Sequence, residues 1–374
     1  MRNKIITSFF CLLLAVSALI GLLMPDRYYS EREKRTLTQK PKFTVADFIS
    51  GKFSGELEKY LTDQVPLRDG WVTMKTYMEL AIGKRESGGV YICKDKYLMD
   101  KFTSYSKKQL AANAAALADL QEKLAAEGVS MNTILVPMAA QVLTEKLPAY
   151  APVADYTAIL QVLTDAGVDT TDVFFTLAAH SSENIYYRTD HHWTSLGAYY
   201  AYQQLCGALG LTPFDPAAHT ALTAENFYGT HYSKARTWNA VPDTITYYEL
   251  QNALTIWNVT GPGQPTEGTT TGLYDTDKLN VYDKYAMFLH GNNGLSRVEG
   301  DGSGKILVLK DSYANCFVPY LTANYAAVDV VDFRNYNYGL DQLIADNDYD
   351  QILVLYSFDS FKGDPYLYRA GVAG

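Results

Sequence analysis

The sequence of 374 residues has little cysteine, no cysteine pairing pattern and no excess of positive charge. One of its four cysteines, Cys11, lies inside an N-terminal apolar run; Cys93, Cys206 and Cys316 are an odd set at wide spacings. That excludes a disulfide framework, and no Cys-x-x-Cys or zinc spacing is present. The three read as small buried apolar residues, with one bridge between two of them as the alternative. The 32 basic residues are outnumbered by 41 acidic ones, and the net charge of −9 argues against a nucleic-acid surface. The chain also lacks internal repeats and low-complexity tracts. With 48% hydrophobic and 20% charged residues it is neither disordered, collagen-like nor coiled-coil. Its length suits one large domain with insertions or two modest ones.

Tyrosine is abundant, with 30 copies against 15 Phe and 4 Trp. A ring that stacks and a hydroxyl that hydrogen-bonds suit sugars and other amphipathic partners. A tyrosine-rich surface and core with no ligand would give the same count.

The first residues, Met1-Arg2-Asn3-Lys4, precede an uncharged apolar run from Ile5 to Met24. A run of about 20 residues can cross the roughly 30 Å hydrocarbon core, whereas a secretory signal's apolar region is usually about 7–15 residues long. Arg2 and Lys4 predict a cytoplasmic N-terminus and place everything after Pro25 outside. The expectation is an uncleaved anchor, with cleavage near Ala15, Ser17 and Ala18 as the alternative. Three segments follow: the anchor over 1–25, a stalk and helical lead-in over 26–85, and an α/β domain over 86–374.

Helix is expected over most of Phe43 to Gly83, then a hairpin from Val90 to Met99 and a helix from Lys107 to Glu127. Met131–Pro137 reads as a buried strand, Ala154–Ala166 as a helix and Val173–Leu177 as a second strand. Thr194-Ser195 caps a helix over Leu196–Leu209 that Gly210 stops. Residues 212–297, rich in Pro, Gly, Thr and Tyr, read as an irregular β-rich insertion. Strands Ile306–Leu309, Val328–Phe333 and Ile352–Tyr356 then alternate with helices, which predicts a mainly parallel sheet covered on both faces.

Two motifs carry chemistry. Thr189-Asp190-His191-His192-Trp193-Thr194 precedes the capped helix and holds two of the six histidines. Lys310-Asp311-Ser312-Tyr313-Ala314-Asn315 directly follows a buried strand. A serine at the carboxyl end of a parallel strand sits where open α/β sheets place their sites, near free N–H groups suited to an oxyanion. Serine needs an adjacent base to become a nucleophile, which His192 can supply while Asp190 orients the imidazole. Singly, each motif could be no more than a helix cap or a turn network. A His-His-Asp cluster also suggests a metal, but no His-x-x-x-His or Cys pair completes one, and His180, His219, His231 and His290 are scattered. No metal and no cofactor is expected.

Thr-Asp-His-His-Trp-Thr resembles the signature of the DHHW family of exported bacterial proteins, which is similar to the SGNH-hydrolase-like domains of periplasmic alginate O-acetylation proteins. The resemblance extends to Phe288-Leu289-His290-Gly291-Asn292, to Leu307 through Asn315 and to Val331-Asp332-Phe333-Arg334. It implies an SGNH-hydrolase-like three-layer α/β fold and a serine esterase or acetyltransferase acting on an exported polysaccharide. Ser312, His192 and Asp190 match the relatives' nucleophile, base and acid. Gly291 and Asn292 match an oxyanion position by looser placement, and Arg334 and Tyr356, at the ends of two later strands, are candidates to contact glycan or acyl group. The order Asp, His, Ser departs from ordinary SGNH hydrolases, and Lys-Asp-Ser-Tyr replaces their Gly-Asp-Ser.

The reading is a membrane-anchored O-acetyltransferase or acetylesterase, fed by a multi-span membrane acyltransferase since cytosolic acetyl-CoA cannot reach an exported domain. A non-catalytic membrane-tethered glycan-binding or scaffold protein is the alternative, with the Tyr-rich insertion as its working surface. A metal-dependent hydrolase is a third reading.

Overall fold

The computed structural model describes residues 2–30, 35–102, 104–257 and 268–371. Residues 31–34 of the expected stalk and 258–267 of the expected insertion lie outside the described residues. Helix α1, Arg2–Leu23, is the one described helix long and apolar enough to cross a membrane, and its apolar stretch Lys4–Gly21 is not buried by the rest of the chain. Helices α2, Lys52–Gln64, and α3, Arg68–Ala81, follow as the composition predicts. The hairpin is also present: Val90–Ile92 pairs antiparallel with Leu98–Asp100, and Glu86–Ser87 adds a short third strand.

Helix α4, Lys107–Ala126, starts where the Ser106 hydroxyl accepts the Gln109 N–H, and it buries Leu110, Leu117, Leu120 and Leu124 at helical spacing. Strand β1, Ser130–Val136, helix α5, Tyr156–Asp165, helix α6, Ser195–Leu209, and helix α7, Thr230–Ala235, come next. Thr194 caps α6 by accepting the Gly197 N–H, and Gly210 ends it in the left-handed region that glycine enters without strain. The remaining strands are β2, Ala253–Trp257, β3, Gly268–Gly272, β4, Leu295–Glu299, β5, Lys305–Lys310, β6, Ala327–Val331, and β7, Gln351–Ser357.

These strands form one seven-stranded sheet in the order β3-β2-β4-β6-β5-β7-β1. Strands β6, β5, β7 and β1 are parallel neighbours, while β3, β2 and β4 extend the sheet antiparallel. Every residue of β6 and β7 is buried, and so is all of β5 after its first residue. Since successive side chains point to opposite faces, both faces of this half are covered, which explains its unbroken apolar runs. The chain leaves β5 for β6 on one side and then crosses to β7 on the other. The carboxyl end of β5 is therefore the point where strand order reverses, and the crevice there is where such sheets hold ligands.

Two readings change. Val173–Leu177 is not a strand: Phe174–Ala179 is a short helix, because the Asp172 carboxylate accepts the Phe174 N–H and starts a turn. Only Thr170, just upstream, makes a bridge to β1 at Thr133. The residues expected as an insertion are only partly one. Ala221–Phe227 and Asp243–Tyr248 form a separate antiparallel pair, but β2, β3 and β4 complete the main sheet.

Leu307, fully buried in the middle of β5 and paired with Asp329 and Ile352, tests this core. Leu307→Ala should lower unfolding stability by about 2–5 kcal/mol, measured by circular dichroism in urea.

Candidate active site

The β5 strand ends at Lys310, and the chain turns into a short 3₁₀ helix, Ser312–Cys316. Asp311 makes that turn rigid. Its carboxylate accepts the Tyr313 N–H at 2.9 Å, the Ser357 N–H at 3.0 Å and the Ser357 hydroxyl at 2.6 Å, tying the helix start to the end of β7. Ser312 is thus held at the reversal point with its own N–H among the donors that a helix start leaves unpaired.

The Thr189–Thr194 segment meets it from the other side. The His192 Nε2 lies 2.8 Å from Ser312 Oγ, and its Nδ1 lies 2.5 Å from Asp190 Oδ1. Asp190 Oδ1 also accepts the His192 N–H, and Oδ2 accepts the Thr230 N–H at 2.8 Å and the Thr230 hydroxyl at 3.2 Å. Asp190 and His192 are buried while Ser312 is partly open, so the polar chain runs from the interior to an accessible hydroxyl. Its geometry is what a nucleophile, a base and an orienting acid require.

The imidazole is fixed on both faces. Tyr285 stacks on His192 at 3.8 Å between centroids and 12° between planes, and donates its hydroxyl to the Ser312 carbonyl at 3.1 Å. His191 packs against His192 at 3.8 Å, with its own Nδ1 bonded to Thr230 Oγ1 at 2.6 Å. Burial first, then the adjacent His192, pushes the His191 pKa down to about 3, so His191 stays neutral. Trp193 donates its indole N–H to the Tyr313 carbonyl at 2.9 Å, and Tyr313 donates its hydroxyl to the His191 carbonyl. The two motifs are therefore cross-bolted to each other.

A second polar cluster lies behind the serine. The Lys310 ammonium, fully buried, donates to Asn315 Oδ1 at 2.7 Å and Asn292 Oδ1 at 2.8 Å, and stands 3.4 Å from Asp332. Asn292 Oδ1 also accepts from Asn315 at 3.2 Å. With its oxygen so committed, Asn292 presents its amide N–H groups as the free end. Gly291 sits at φ 87°, after Leu289 and His290 at φ 53° and 55°, so three successive left-handed residues carry the chain into this position. Such conformations are costly for Leu and His and persist where surrounding contacts fix them.

Arg334 spans Asp332 with two bonds, at 2.8 and 2.5 Å, and is half-exposed. Tyr356 belongs to the buried core, so the expected glycan contact is corrected: β7 is covered on both faces and offers its ring no surface. The sequence pattern does not single out Tyr285, Thr230 or Asp243, and it marks Lys310 only as the first residue of the motif around Ser312. Asp243 accepts the Arg188 and Thr189 N–H groups at 2.8 Å each and so holds the segment entering the motif. A lysine closing a buried apolar strand one residue before Asp-Ser was the legible signal among these.

Among the described residues, Asp190, His191 and His192 also form a group whose ligating atoms lie within 4.8 Å of one another. In the present arrangement both His192 ring nitrogens and the His191 Nδ1 are engaged in hydrogen bonds.

The fold is SGNH-hydrolase-like. Residues 94–246 match the family model described as "SGNH hydrolase-like domain, acetyltransferase AlgX", a stretch that includes Asp190 and His192 but ends before Ser312. Similar solved structures include a DHHW family protein from Eubacterium siraeum, with TM-score 0.65 and 24% identity over 76% of this chain and 95% of that one. Bacillus cereus PatB1 is another, with TM-score 0.59 and 21% identity over 73% of this chain and 97% of that one. Curated relatives named probable alginate O-acetylase AlgJ come from Pseudomonas syringae pv. tomato, 23% identical over 53% of this chain and 52% of the relative, and from Azotobacter vinelandii, 24% identical over 46% of each. The chain spans about half the length of the curated relatives it matches.

Two substitutions probe the supports. A Cβ on Gly229 would stand 2.1 Å from Asp190 Cβ, so Gly229→Ala must displace the carboxylate; Nδ1 proton signals of His192 should shift in NMR spectra. Lys310 tests the cluster. Burial pulls its pKa down to about 8 from 10.5 while Asp332 works against that fall. Burial works to raise the Asp332 carboxyl, but Lys310 and Arg334 outweigh it. Between 8 and 10.5 the unfolded chain holds the lysine proton that the folded chain has released, so stability from this site rises with pH. Lys310→Met should cost about 3–5 kcal/mol at neutral pH by leaving Asp332 short of a partner. The wild type's advantage should widen towards alkaline pH, checked by urea midpoints on both sides of that window.

Proposed function

We propose that the protein is a membrane-anchored, serine-dependent O-acyltransferase that moves acetyl groups onto an exported polysaccharide. The observation that carries the reading is the bonded series Ser312–His192–Asp190 at the carboxyl end of β5. Relatives named for alginate O-acetylation and the SGNH acetyltransferase family match support the acetyl group and the polysaccharide class. The apolar α1, with Arg2 and Lys4 on its amino side, supports an anchor with the α/β domain outside the cytoplasm.

In this mechanism the Ser312 oxygen attacks the acetyl carbonyl while its proton passes to His192 Nε2. The Ser312 N–H and the Asn292 amide stabilise the oxyanion. The tetrahedral species collapses, the donor's leaving group departs with the proton from His192, and the acetyl group stays as an ester on Ser312. A sugar hydroxyl then gives its proton to His192 and attacks that ester, and Ser312 recovers the proton as the acetylated sugar leaves. A multi-span membrane partner carrying an acyl group is the donor source that an exported domain requires.

The deciding experiment follows acetate release and acetyl transfer to oligosaccharides from a small activated acetyl ester, using the full chain in detergent. Ser312→Ala and His192→Ala should each abolish turnover, and a chelator should leave it unchanged. Asn292→Ala should lose roughly 10²–10³ in kcat, the usual loss of an oxyanion donor. Turnover that survives Ser312→Ala, or that a chelator removes, would overturn the assignment. Glycan binding without turnover in any variant would favour a scaffold. Because His191 stays neutral down to about 3, the acid limb of the rate profile should fall with the slope of one proton and not two.

A further inference from the structure

Resting on the reading that α1 spans a membrane, we infer that the outer face of α3 and the turn joining α2 to α3 form a second membrane contact. This contact lies in the lipid interface beside the anchor and seats the active-site domain on the bilayer.

The first observation fixes depth. A Cβ on Gly21 would lie 3.6 Å from Pro66 Cδ, so the α2–α3 turn packs on α1 itself. Gly21 is two residues from the end of α1 at Leu23, about 3 Å along the axis at 1.5 Å per residue. The turn therefore meets the span where hydrocarbon gives way to headgroups.

The chain just beyond the anchor holds it there. The Arg27 N–H donates to Gln64 Oε1 at 3.0 Å, and Gln64 Nε2 returns a bond to the Arg27 carbonyl at 3.0 Å. Tyr60 donates to Asp26 at 2.8 Å, and Arg27 lies 3.5 Å from Asp69. The first two residues after Pro25 are thus bonded to both helices.

The second observation is the face that this leaves outward. Leu67, Trp71, Met74, Met78 and Ile82 recur at spacings of four and three, which places them on one side of the helix. They are 82%, 42%, 39%, 60% and 81% exposed. The charge distribution matches this face. Both acids of α3 turn inward or sideways, Asp69 to Arg236 at 2.7 Å and Glu79 to Lys84 and Ser87 at 3.0 and 3.1 Å. Lys75, mostly exposed, stands 3.4 Å from Glu79 beside the stripe, where its stem can lie on lipid with the ammonium in the headgroup layer. An apolar stripe with an interfacial Trp and Lys describes a helix lying in the headgroup boundary.

The seat connects to the site. Asp69 on the inner side of α3 pairs with Arg236, which ends α7, and Thr230 at the start of α7 holds Asp190. Docking of α3 on lipid therefore sets the height and tilt of the catalytic crevice above the membrane.

The test uses the full chain in phosphatidylcholine–phosphatidylglycerol vesicles, with and without bromine on the lipid acyl chains. Bromine should quench tryptophan emission in the wild type, and most of that quenching should disappear in Trp71→Phe. The double variant Leu67→Glu, Met78→Glu should also lose it while its circular dichroism stays that of the wild type. A chain that floats with vesicles and resists carbonate extraction, yet shows no bromine quenching at Trp71, overturns the interfacial seat and leaves the anchor intact. Cross-linking of α3 to a second copy in that case would assign the stripe to self-association. A chain removed by carbonate overturns the anchor itself.

Discussion

The site depends on a carboxylate kept in the interior. Asp190 is nearly inaccessible, and an unpaired charge there would be expensive, so its carboxylate is met by donors. Four donor groups meet its two oxygens: the His192 N–H and Nδ1 on one, the Thr230 N–H and hydroxyl on the other. The first pair sets the imidazole tautomer, leaving Nε2 as the acceptor that faces Ser312. The second pair requires α7 to begin within contact of Asp190, which is why Gly229 lies so close that a side chain would collide. The region between α6 and the main strands thus has a structural task at the site, and its contribution is not confined to a peripheral surface.

Lys310 plays the matching part for the serine. Its buried ammonium joins three elements: the end of β5, the Gly291–Asn292 approach and the end of β6 through Asp332. A hydrophobic residue there would remove the desolvation cost of the charge but would leave the buried Asp332 carboxylate without the ammonium. The charge orients the Asn292 carboxamide, oxygen inward and nitrogen outward. Lys-Asp-Ser-Tyr in place of a glycine-led motif therefore has a physical account: the lysine positions a donor group, while Asp311 shapes the turn by accepting from β7 and from the Tyr313 N–H.

Most of the sheet was legible because its parallel strands are buried on both faces and read as short apolar runs. Asp190 and His192 were legible because they stand two residues apart in one motif, and Ser312 because it directly follows a buried strand; the 120 residues between His192 and Ser312 left their meeting to the fold. The supports were harder to read. Tyr285 reaches His192 across 93 residues of sequence, and nothing in its local pattern separates it from the other tyrosines of a tyrosine-rich chain. Asp243 acts through backbone N–H groups, which leave no trace in side-chain patterning. Phe174–Ala179 was misread because a β-branched and aromatic run of five residues suits a strand or a helix equally. A carboxylate at Asp172 decided it by capping the turn. Strand β2 pairs with β3 on one side and β4 on the other, all antiparallel, so the Thr and Gly content of β2 and β3 fits an antiparallel edge better than a buried strand.

In the proposed mechanism, whether an acyl-serine is passed to a sugar or lost to water depends on which sides of the imidazole solvent can reach. Tyr285 covers one face of His192 at stacking distance, and His191 covers the other. His192 Nδ1 is closed by Asp190. A hydroxyl that His192 can activate must therefore approach by Nε2, on the side where Ser312 is partly open. A sugar bound across that opening would occupy the same approach that water needs, so acceptor binding and water exclusion are one event at this site. The neutral His191 contributes to the same end. A protonated ring there would hinder the positive charge that His192 would acquire in the proposed attack, whereas the uncharged ring packs on His192 with its Nδ1 turned to Thr230. His191 is thus a cover that stays uncharged in the proposed mechanism, which separates its task from that of His192, the proposed base beside it, without any change of residue type.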